Sequence, residues 1–125
     1  MNRLLVVLNT INGVIFIILG LLWVISPYEA GANFGILEIP EGLGRSSLIG
    51  DVGSYFFCIG VMMILAVYTL RSIWFYAPAM LLGFTALFRV ISWLAHDATF
   101  ATQFIIIEII VIILLLVTSK RMSSK

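Results

Sequence analysis

Asp51, Arg89 and Glu108 each stand inside a long apolar run of a 125-residue chain. A charged side chain at the centre of a membrane helix costs about 2.5–3.5 kcal/mol on insertion scales, so such residues pair, relay protons or hold a ligand. The planar fork of Arg89 suits a carboxylate, which makes Asp51, Glu108 or both its expected partners. Arg45, a few residues before Asp51, brings the expected cluster to formal neutrality with two bases and two acids. His96 beside Asp97 has the chemistry of a proton shuttle, but one histidine with scattered carboxylates is a poor transition-metal set, so no metal is expected. Cys58 is the only cysteine; it allows no internal disulfide and is most simply a small packing residue. The chain shows no nucleophile–base constellation, phosphate loop or haem motif. Hence no catalytic residue and no cofactor are expected, and the residues lean away from an enzyme.

The elements that position these residues follow from composition. Hydrophobic residues make up 62% of the chain and charged ones 10%, with mean hydropathy +1.19. A soluble domain is nearer half apolar and a quarter charged, so the expected solvent is lipid. A net charge of +1 with no basic stripe excludes a nucleic-acid footprint. Four apolar runs, residues 4–25, 45–70, 73–94 and 102–118, approach or exceed the roughly 20 residues needed to cross a bilayer. Each must be helical, because open strands would leave backbone groups unsatisfied in hydrocarbon. The first run stops at Ser26-Pro27, since proline cannot continue a helix. The expected fold is all-α, a single transmembrane domain over residues 1–125 forming an integral-membrane four-helix bundle.

Four crossings put Arg3, Arg71, Lys120, Arg121 and Lys125 on one side, against Arg45, Glu29, Glu38, Glu41 and Asp97 on the other. The positive-inside rule then places both termini in the cytoplasm. Trp23 and Trp93 fall near outer ends, and Trp74 with Tyr76 near an inner one, as an aromatic belt would. A cleaved signal peptide ending at Ala30-Gly31-Ala32 is the rival reading of the first run. That run exceeds an h-region of about 7–15 residues and is interrupted by Asn9, Asn12 and Gly13, so an uncleaved span is expected.

A rise of about 1.5 Å per residue puts Asp51, Arg89 and Glu108 each roughly 8–9 Å below the outer end of its run. Charges at one level on three helices point to a shared polar cluster facing inward. Helical spacing gathers Thr85, Arg89, Ser92, Trp93 and His96 along one stripe of the third run, and Ser47, Asp51, Ser54 and Cys58 along one of the second. Gly50, Gly53 and Gly60 flank the latter, and Asn9, Asn12, Gly13 and Gly20 share a side of the first run. Small residues let membrane helices approach closely. Ser54, Ser92 and His96 are secondary polar candidates. The long segment between the first two runs holds "NFGILEIPEG"; an amphipathic surface segment is the simpler reading, and a lid over the outer mouth the alternative.

"GRSSLIGDVGSYFFCIG", "LFRVISWLAHD" and "IIIEIIVIILLL" together resemble a bacterial family of small four-helix membrane proteins catalogued as a domain of unknown function. The similarity extends over nearly the whole chain, including the Ser-Pro after the first helix. It implies a bacterial inner-membrane protein and marks Arg45, Gly50, Arg89 and Glu108; Asp51 stands where that family carries a small residue. It supplies no activity. Small multidrug transporters share the length and the four spans, but carry their essential glutamate in the first helix, which here holds no acid.

Three function classes follow. The absence of a soluble domain, motif or cofactor ligand favours a non-catalytic accessory or assembly subunit, with a membrane-protein partner or further copies of itself in the bilayer. The alternative is a transporter or ligand-binding protein using the Arg45/Arg89 region for an anion or the acids for proton relay. A membrane enzyme acting on a lipid or quinone comes last.

Overall fold

The computed structural model describes residues 3–123; Lys125, counted above for orientation, lies outside them. The described chain is all-helical. Helix α1 spans Arg3–Ile25, a short α2 spans Pro27–Asn33, α3 spans Leu43–Thr69, α4 spans Ile73–Ala95 and α5 spans Thr102–Ser123. All but α2 are long and apolar enough to cross a membrane. Their outward faces are apolar too, with Ile18, Phe88 and Ile110 each more than half exposed. Pro27 opens α2 at the position where a missing N–H is harmless. Leu70, in the left-handed region at φ 56°, ends α3 and begins the short turn into α4.

Each seam between the long helices is closed by a different device, which fixes their order. Between α1 and α3 the device is glycine. A Cβ on Gly60 would strike the Gly13 carbonyl, and one on Gly20 would come within 2.7 Å of the Gly53 carbonyl. Backbone therefore lies on backbone along two contacts seven residues apart on each helix, the close approach that small residues permit. A Cβ on Gly53 would meet Trp23, whereas one on Gly50 would point into open space, with nothing within 4 Å.

Between α3 and α4, the Tyr55 hydroxyl lies 2.6 Å from Thr85 Oγ1. Between α4 and α5, Arg89 Nε donates to Glu108 Oε1 at 3.0 Å. Between α1 and α5, Asn9 Nδ2 donates to Thr118 Oγ1 at 2.9 Å, near the end of the molecule that carries the two chain termini. The opposite end carries α2, the segment from 34 to 42, and the α4–α5 connection; we call it the loop end. Phe16, Phe56, Ile59, Met63, Phe75, Leu82 and Leu115 form the buried centre.

One irregularity bears on the site. Within α3, Leu48–Gly53 is wound as a π-helix between α-helical turns. The wider i→i+5 turn inserts a residue into the helical register, so faces read from 3.6-residue spacing do not run straight through it. Ser47, Asp51, Ser54 and Cys58 are all exposed, while Gly53, Phe56, Gly60 and Met63 face the core. The expected inward polar stripe of this helix is therefore turned largely away from the core.

Candidate functional site

Helix α4 carries Arg89 to the level of Glu108 on α5, and the two form one charge-assisted bond through Nε. Glu108 is nearly enclosed and Arg89 less so, with side-chain exposures of 9% and 28%. The guanidinium also lies over Phe104, 4.9 Å from the ring centroid. Phe104 precedes Glu108 by four residues, so ring and carboxylate share a face of α5 and hold the arginine between them. Among the described residues, the η nitrogens of Arg89 meet no protein acceptor.

The other members of the expected cluster stand apart from this pair. Asp51, exposed in the π-turn, makes no side-chain hydrogen bond or ion pair among the described residues; Ser54 reaches only its backbone carbonyl, at 3.4 Å. Arg45 is held elsewhere. Its Nε donates to the Pro40 carbonyl at 3.0 Å, a terminal nitrogen donates to the Tyr28 hydroxyl at 3.0 Å, and the guanidinium lies over the Tyr28 ring. It therefore clips the 34–42 segment to α2 and does not join Arg89. The secondary candidates make local contacts: Ser92 lends its carbonyl to the His96 and Ala98 N–H groups, and exposed His96 caps the end of α4. Among the described residues no three histidine, cysteine or carboxylate side chains gather as metal ligands would.

The feature that sequence spacing does not disclose is a cavity of about 760 Å³ in the loop-end half, reaching Asn12, Leu82 and Val111 near mid-helix. Arg89, Glu108 and Asp51 all line it. So do six aromatic side chains: Phe16, Trp23, Phe34, Tyr55, Phe56 and Phe104. Protein interiors rarely hold voids larger than a water molecule, and small-molecule sites occupy about 300–1,000 Å³, so this space is of ligand size. Trp23, expected in an interfacial belt, is instead wholly buried, and its indole N–H has no partner among the described residues.

Phe34 forms the roof. It stacks on Phe104 with centroids 5.3 Å apart, and meets Phe56 at 5.2 Å and Trp23 at 6.2 Å. The segment behind it divides: Ile39 is buried, while Leu37 is 87% exposed. The connection thus inserts one aromatic side chain into the bundle, closer to the lid alternative than to a segment lying flat on a surface.

The clip on this roof gives a first expectation. Arg45→Ala removes two exposed hydrogen bonds and lowers stability by no more than about 1 kcal/mol. Amide exchange across residues 34–42 should nevertheless quicken at least several-fold, while exchange in α1 stays unchanged. Unaltered exchange in that segment would show that the clip does not hold the roof.

Comparisons of this chain with protein-family models, curated proteins and solved structures find no match. The resemblance read from the sequence therefore gains no support from them, and the functional reading rests on the geometry.

Proposed function

We propose that the protein is a membrane-embedded binding protein that holds a small amphiphilic molecule in the cavity at its loop end. The observation carrying this reading is the placement of the Arg89–Glu108 pair in the wall of a ligand-sized aromatic space. A latch that only set helix register gains nothing from free donors beside an open space, since a buried pair is best compensated when further hydrogen bonds take up its remaining groups. Here the arginine keeps donors turned to neither acid, and the apolar wall offers the burial on which small-molecule sites depend. This favours the ligand-binding reading over an accessory subunit without a ligand. The two are compatible, since a subunit of a larger assembly can carry a bound molecule.

Orientation belongs to the same proposal. The excess of basic residues at the terminal end supports a cytoplasmic location for both termini, with the cavity in the outer leaflet. A bacterial inner membrane is the setting that the sequence resemblance supports.

The test is direct. 1-Aminoanthracene, a neutral dye whose emission rises in apolar sites, should bind the purified protein saturably at one molecule per chain. Ile107→Trp places a large ring at the cavity rim, where the native side chain is half exposed and tolerant of change. It should weaken dye binding at least ten-fold without lowering the melting temperature. Equal, non-saturating uptake by wild type and variant would mean that the dye enters only the micelle, and the proposal would fall.

A further inference from the structure

Resting on the binding reading, we infer that the ligand is an amphiphilic organic cation, an amine or quaternary ammonium on an apolar body, whose charged head pairs with Asp51. The inference comes from the cavity's charge balance. Its ionisable lining comprises Asp51, Arg89, Glu108 and the Tyr55 phenol. Arg89 and Glu108 cancel as a bonded pair at 3.0 Å, and Asp51 is the charge left over. A second arginine would have cancelled that excess, but Arg45 is tied to Tyr28 and the Pro40 carbonyl and does not line the cavity. An anion would therefore meet one neutralised guanidinium and one uncompensated carboxylate. A cation makes the site neutral, which a low-dielectric surround strongly favours.

The lining agrees with that sign. Aromatic faces attract cations through the ring quadrupole, most strongly when both are out of water. The cavity already shows this interaction once, in the guanidinium over Phe104. Entry fits an amphiphile as well. Helices α1 and α5 are clasped at the terminal end by Asn9 and Thr118, while toward the loop end Ile15 and Ile107 line the cavity and are each 49% exposed. With the long helices across a bilayer that apolar rim would lie among acyl chains, giving a ligand dissolved there a sideways route to the cavity beneath Phe34. Asp51 itself sits in the π-turn of α3, a kind of turn often found at functional sites.

The experiment compares three probes of one chain length: dodecyltrimethylammonium, dodecanoate and the neutral dodecanol. The full-length protein carries Trp74→Phe and Trp93→Phe, so that Trp23 in the cavity wall is the only indole reporter, and each probe is titrated below its micellar concentration in maltoside. The cation should saturate the Trp23 signal at a concentration at least ten-fold lower than dodecanoate, with dodecanol between them. Asp51→Asn should abolish most of that preference while dodecanol binding persists, and Asp51→Glu should retain it. If dodecanoate binds as tightly as the cation while dodecanol still binds, the charge assignment is overturned and the cavity reading stands. An undiminished cation preference in Asp51→Asn would equally overturn it. If none of the three binds, the binding reading itself fails. Should Asp51→Asn not fold, the wild-type order of cation over anion decides alone.

Discussion

Glu108→Gln should destabilise the protein by about 3 kcal/mol, and adding Arg89→Gln should recover part of that loss. Breaking a buried pair from one side costs about 3–5 kcal/mol, largely because the other charge is stranded. The lower end applies to Glu108→Gln. The stranded arginine keeps the Phe104 face, worth about 0.5–2 kcal/mol, and its side chain is the more exposed of the two. Arg89→Gln should cost at least as much, because the carboxylate it strands is the more enclosed. Removing both charges leaves two neutral amides able to bond to each other, so the double variant should be more stable than the sum of the single losses predicts. Denaturation in mixed micelles across the four proteins gives the coupling directly. Additive losses would show that the contact contributes nothing. Asp51→Asn serves as a contrast and should shift stability by less than about 0.5 kcal/mol, since its carboxylate holds no partner among the described residues.

The second large effect belongs to the glycine seam. Gly60→Leu should prevent folding or cost more than about 3 kcal/mol. Overpacking a core ordinarily costs about 1–3 kcal/mol because side chains can shift. At Gly60 the obstacle is the backbone of α1 around Gly13 and Ile17, which cannot give way without parting the two helices. Gly50→Ala is the control within the same helix: an added Cβ meets nothing within 4 Å, so the change should be neutral to slightly stabilising. If Gly60→Leu melts with the wild type, the seam is not the close contact described.

These two expectations also mark how far the sequence could be read. Ser26-Pro27 and the polar turns fall close to the ends of the first three long helices, whereas α5 runs on past Thr118 to Ser123, where the residues turn polar but the helix does not stop. Depth and charge together left Asp51, Glu108 or both as partners of Arg89; the contact with Glu108 is among these, and α4 and α5 each keep an uninterrupted α-helical rise from their loop ends to the charged residue. The same arithmetic put Asp51 at their level, and it does line the same cavity, but it bonds to neither charge; its helix widens into a π-turn at that residue, and no residue type announces one. Gly53 and Gly60 were recognisable as packing positions, but the same spacing drew in Gly50, which faces open space. Trp23 resembled a belt residue because its position near a helix end says nothing of its azimuth. The Phe34 roof and the cavity beneath it depend on how a connection folds back over the bundle. Neither hydrophobic periodicity nor charge carries that information.

Native mass spectrometry of the protein released gently from its own membrane tests the central claim most directly. The account predicts one small molecule retained per wild-type chain, positively charged and amphiphilic by its fragmentation, and its loss from Ile107→Trp. A bare chain mass for wild type and variant alike, under conditions that preserve other membrane-protein ligands, would contradict it.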